Sequence, residues 1–84
     1  MMKAQAVSLC DTLLKRLDEL ESMLGSIPQQ HHALILESTP RVRELRDVAK
    51  FETRLRLTVE QVSDLREIAE RIGELLVQFP QKTL

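Results

Sequence analysis

The stretch TRLRLTVEQV, Thr53 to Val62, decides the fold. Leu55, Leu57 and Val59 alternate with Arg54, Arg56 and Thr58, the period of a half-buried strand. Leu55, Thr58 and Val62 also stand three and four apart, the period of a helix. A hairpin here would need a turn-former such as Asn-Gly or Asp-Gly, and the chain contains no Asn. No Gly or Pro occurs between Arg41 and Ile72. Extending the helical register from Val48 reaches Phe51, Leu55, Thr58, Val62, Leu65, Ala69, Ile72, Leu76 and Phe79, with Thr58 as its single polar member. Alternation over three residues loses to a register held this long, so the stretch reads as helix.

The first segment carries a similar seam: Ala6, Cys10, Leu13, Leu17, Leu20, Leu24 and Ile27. Gly25 is placed to end that helix in a left-handed conformation, and Pro28 opposes its continuation. Between them and Thr39, SIPQQHHALILES is too apolar for a solvated loop, since Ala33 to Leu36 run together. It reads as a partly ordered connector lying against the helices. Thr39 and Pro40 suit the start of the second helix, a capping hydroxyl followed by Pro in the first turn, and Pro80 suits its end. The expected fold is all-α: an antiparallel helical hairpin with a long second helix, able to form a coiled coil or bundle. The 84 residues form one helical unit: a helix at about 4–25, a connector at 26–39, a long helix at about 40–79 and a tail at 80–84.

Composition narrows the function. The chain holds two Phe and neither Tyr nor Trp, so a core built around large rings is not expected. Its net charge of −1 and interspersed charges argue against electrostatic capture of nucleic acid or an anionic membrane. A single cysteine, Cys10, excludes an internal disulfide and fits a reducing compartment. The opening MMKAQAVSLCDTLL reads as neither a signal peptide nor a membrane span. A soluble, cytoplasmic chain is expected.

Chemistry-bearing patterns are sparse. His31 and His32 are adjacent, so they diverge from any common metal, and no CxxC or HxxxH accompanies them. Cys10 holds a seam position, where a thiol serves as a small hydrophobe. No Gly-rich loop is present to cradle phosphate, and basic residues without aromatic platforms do not suit single-stranded nucleic acid. No catalytic, cofactor or metal site is expected, and the chain reads as no enzyme.

Helix lengths point to partners instead. A second helix of about forty residues spans roughly 60 Å, and the shorter first helix covers it only to about Val62 or Leu65. The seam beyond, with Ile68 and Leu75 widening it, has no cover of its own. The expected partner interface is therefore Val62, Leu65, Ile68, Ala69, Ile72, Leu75, Leu76 and Phe79, facing helical protein partners or a second copy of the chain. Basic residues crowd the start of the second helix (Arg41, Arg43, Arg46, Lys50), and an antiparallel first helix would set Asp18, Glu19 and Glu21 beside them.

Three stretches, LLKRLDELESMLGS (13–26), LRDVAKF (45–51) and ELLVQF (74–79), with Pro40 after the link, resemble the C-terminal half of the dynactin subunit 3 family. The matching positions include Leu13, Leu14, Leu20, Met23, Leu24, Pro40, Leu45, Ala49, Leu75, Leu76 and Phe79. The family's N-terminal helical half has no counterpart here, and the link before Pro40 is longer. The resemblance implies an elongated structural subunit of the dynactin shoulder, packed with dynamitin and the largest dynactin subunit. Such a subunit serves dynein-driven, microtubule-based transport and is cytoskeleton-associated. From the residues alone, two other readings stand beside it. One is a small helical chaperone or adaptor shielding a helical partner, as in bacterial secretion systems; the other is a self-assembling regulatory dimer.

Overall fold

The structure is a computed structural model, and it describes residues 1–51 and 56–80. Three α-helices occupy most of it: α1 over Lys3–Ser22, α2 over His32–Phe51 and α3 over Val59–Gln78. The all-α expectation holds, and no strand is formed among the described residues. The long second helix is absent. In its place α2 ends at Phe51, and α3, which begins at Val59, lies back against the α1–α2 hairpin.

α1 and α2 pair most closely and run antiparallel. Arg46 of α2 forms an ion pair with Asp11 of α1, and Thr39 Oγ1 donates to Glu21 Oε1 at 2.9 Å. α3 runs alongside both. At one end of the bundle Met2 forms an isolated antiparallel bridge with Arg56, and the Leu57 N–H donates to the Met1 carbonyl at 3.3 Å. At the other end the rings of His31 and Phe79 lie 5.9 Å apart. The order is therefore up-down-up, with Cα extents of 41 × 27 × 17 Å. A forty-residue rod alone would be roughly 60 Å long.

The apolar stripes explain the packing. α1 buries Ala6, Cys10, Leu13, Leu17 and Leu20, while α2 buries Ile35, Val42, Leu45 and Ala49. Onto this pair α3 presents Leu65, Ile72 and Leu75, also buried, with Ile68, Ala69, Leu76 and Phe79 partly covered. Ile27 and Leu57 close the two ends. Full burial of one such aliphatic side chain stabilises by about 1.5–3 kcal/mol. Folding α3 back thus recovers within one chain what a rod would need a partner to supply.

Four sequence expectations change at the helix ends. Thr58 is not a seam residue but the N-cap of α3. Its backbone is extended (φ −68°, ψ 162°), its Oγ1 accepts the Gln61 N–H at 3.2 Å, and its own N–H donates to Gln61 Oε1 at 2.9 Å. This reciprocal capping box satisfies two backbone donors that an uncapped helix start leaves open. Gly25 does not end α1 in a left-handed conformation, because no glycine has positive φ among the described residues. α1 ends at Ser22, before a 3₁₀ turn over Leu24–Ser26.

The connector is shorter than its sequence suggests, since a second 3₁₀ turn at Gln29–His31 leads directly into α2 at His32. Pro40 therefore sits inside α2, not at its start. Burial of Ile35 extends the helix upstream of Pro40, which lacks the N–H that would otherwise bond the Leu36 carbonyl. The neighbouring Thr39 is buried against α1 instead of capping a helix. Of the expected seam, Leu55 lies outside the described residues, as does the tail beyond Pro80.

Candidate functional site

The expected partner face divides into two groups. Leu65, Ile72 and Leu75 are buried in the chain's own core, so they cannot meet a partner while the bundle is closed. Val62, Ile68, Ala69, Leu76 and Phe79 are partly covered and pack against that core. The premise that nothing in the chain covers this seam is overturned by the packing of α3 against α1 and α2. Phe51, expected to be a seam member, is instead 79% exposed, and Val48 is half-buried.

Apolar surface persists elsewhere. Val59, at the first position of α3, is 86% exposed, and Val77, near its end, is 82% exposed. Around Val59 lies an open groove of about 540 Å³ lined by Met1, Leu57, Val59 and Val62, with Arg66, Glu67 and Glu70 at its rim. Met2, bridged to Arg56 beside it, is also partly exposed. The capping box sets the direction of α3, and the Met1–Leu57 hydrogen bond ties the start of α1 to the same end. The groove thus rests on three points of the backbone. Its rim is held in part by the Arg71–Glu67 ion pair, 2.7 Å across one helical turn.

Of these lining residues, sequence reasoning placed only Val62 in an interface. Val59 stands one position off the seam, where a lone valine reads as surface, and Met1 reaches the groove only because α1 and α3 start at the same end. The pattern Thr58-x-x-Gln61 was the available signal, since a capping box marks a helix start.

The titratable groups have structural surroundings. Burial pushes the Cys10 thiol above its ordinary value, and Asp11 adds to this while Arg46 opposes it. The thiol is thereby a poorer nucleophile. His32 Nε2 lies 2.9 Å from the Leu24 carbonyl and 2.8 Å from the Ile27 carbonyl, so a proton on Nε2 is shared between two acceptors of the 3₁₀ turn that follows α1. His31 faces away, toward Phe79 and Gln30. Arg41 ties α2 to α3 through Asp64 and also pairs with Glu44; the Asp64 hydrogen bond is the leading cause of its raised pKa. The acidic residues expected beside the start of the second helix divide their roles. Glu21 bonds Thr39, and Asp18 shares a shallow groove with Arg43.

No group of three or more His, Cys, Asp or Glu is placed to hold a metal ion among the described residues. No described helix is long and apolar enough to cross a membrane. Comparison with family models, with curated proteins and with solved structures finds no match.

Proposed function

We propose that the chain is a non-enzymatic interaction subunit that docks a helix of another protein into the groove at the start of α3. The observation carrying this reading is the exposed Val59 beside Met1, Leu57 and Val62, an apolar strip within a charged groove at the capped start of a helix. The charged residues that line it are Glu67 and Glu70 against Arg66, with Glu60 next to Val59. The complementary occupant is an amphipathic helix with a short apolar stripe and a basic flank. The sequence resemblance nominates the dynactin shoulder as the assembly, with dynamitin and the largest dynactin subunit as sources of that helix. A helical chaperone or adaptor of a secretion system would use the same surface for a different client.

Val59→Glu tests the reading directly. Glu is acceptable at the first turn of α3, where it favours the helix dipole, and Val59 contributes little burial to the fold. Co-expression with dynamitin and the shoulder portion of the largest dynactin subunit should give co-elution for the wild type. Val59→Glu should abolish it while leaving helicity unchanged. Co-elution that survives Val59→Glu would remove the groove from the interface. Absence of any complex with the wild type would remove dynactin as the assembly.

A further inference from the structure

The link between α2 and α3 carries two competing instructions. From Phe51 to Val59 the sequence contains no Gly, Pro, Asn or Asp, so its residue types are compatible with continuous helix. The apolar register of Val48, Phe51, Leu55, Thr58, Val62 and Leu65 crosses the link without a slip. In the closed chain the helix is broken all the same, with Thr58 extended and capping α3. We propose that α2 and α3 also join into one helix, and that α3 then docks on the α1–α2 hairpin of a second copy, forming a domain-swapped dimer.

The occupant follows from the interface already present. In the swapped dimer Leu65, Ile72 and Leu75 of one copy fill the place they fill in the closed chain, now against the hairpin of the other. The Arg41–Asp64 ion pair and the His31–Phe79 ring contact re-form between copies. Because α3 runs antiparallel to α2 in the closed bundle, the joined helices of the two copies also run antiparallel, about a two-fold axis near the link. No new surface has to be evolved, which is why swapping is a low-cost route to a dimer.

The two states differ at the link. Closing supplies the Thr58–Gln61 capping box, the burial of Leu57 and the contacts of Met1 and Met2 with Leu57 and Arg56. Joining supplies continuous helix and brings the two links together beside Phe51, which is exposed in the closed chain. A joined helix over residues 32–78 spans roughly 70 Å, against a longest closed extent of 41 Å. This state is separate from the proposed docking groove and does not depend on it.

Val59→Pro separates the states. Position 59 is the first of α3, where Pro is well tolerated, and Thr58 already has the extended backbone that a residue before Pro requires. In a joined helix the same Pro would lie in the interior, removing one backbone hydrogen bond and clashing with the preceding turn. Wild-type chain refolded at about 1 mM should show a dimer fraction that rises with concentration by light scattering. Val59→Pro should lower the dimerisation constant about a hundredfold or more, and Thr58→Ala should raise it by about fivefold per chain. In a mixture of isotope-labelled and unlabelled chains, the His31–Phe79 contact of the dimer should appear between chains. A wild type that stays monomeric after such refolding overturns the proposal. So does a Val59→Pro variant with wild-type helicity that dimerises as the wild type does, or a dimer whose His31–Phe79 contact remains within each chain. Should Val59→Pro lose helicity, the isotope-filtered measurement on the wild type decides alone.

Discussion

Leu65→Ala tests whether α3 is held by its own chain. Leu65 is fully buried, with Ile72 one heptad further along α3. Removing its terminal carbons leaves a cavity between α3 and the α1–α2 hairpin, and such truncations cost about 2–5 kcal/mol. A chain of 84 residues has a total stability of roughly 4–13 kcal/mol. The variant should therefore lose a large part of its stability and begin to unfold in mild denaturant. Urea unfolding followed by far-ultraviolet circular dichroism, run on dilute protein, reads this as a drop in midpoint of about 1–3 M. Val77→Ala, at an exposed position of the same helix, serves as the control and should stay within about 0.5 kcal/mol of the wild type. The reasoning fails if Leu65→Ala costs less than about 1 kcal/mol in dilute protein. It fails equally if the cost appears only at concentrations where the chain is oligomeric, because a partner would then be covering Leu65. The same burial makes Ile72→Asp an unfolding substitution, not a probe of a docking face.

Further outcomes follow from other positions. Thr58→Ala should destabilise the monomer by about 1 kcal/mol, whereas Thr58→Ser should cost less, as thermal unfolding of both would show. Pro40→Ala should stabilise the chain by about 1–2 kcal/mol, because Pro40 is exposed and inside α2 and its replacement restores a backbone donor to the Leu36 carbonyl. An unchanged denaturation midpoint would contradict that. For Cys10 the raised folded pKa means that the folded state holds the thiol proton more tightly. The resulting stability is fully present below the unfolded thiol value, near 9.0, and is lost as pH rises through the folded value. Cys10→Ala should flatten that alkaline loss, and alkylation of Cys10 at neutral pH should be far slower in the folded chain than in urea. Arg46→Ala breaks a partly exposed ion pair with Asp11 and should cost no more than about 1 kcal/mol, with the difference shrinking in salt.

Much of the core was legible residue by residue. The seam Ala6, Cys10, Leu13, Leu17 and Leu20 is the buried face of α1, because the spacing of apolar residues along one helix is local information. The antiparallel pairing of the first two helices was expected as well, although the ion pair that joins them is Arg46–Asp11 and not one made by Asp18, Glu19 or Glu21. The start of α2 was harder to place. Pro40 is a favoured residue at a helix start, yet α2 begins eight residues earlier at His32 and buries Ile35, Ser38 and Thr39 ahead of the proline. The candidate groove was the least legible part, since Met1 and Val59 meet only after two chain reversals.

The sequence by itself determined that the chain is helical and which side of each helix is apolar, since periodicity and residue type act over a few turns. It left open who covers the stripe of α3, because a stripe is satisfied equally by its own hairpin or by another chain. The tertiary structure decided that question at Thr58. Once α1 and α2 form a hairpin with an open apolar face, α3 lies close to it on the same chain. Breaking the helix sacrifices a few hydrogen bonds, two of which the capping box restores. Burial of Leu65, Ile72 and Leu75 outweighs the rest.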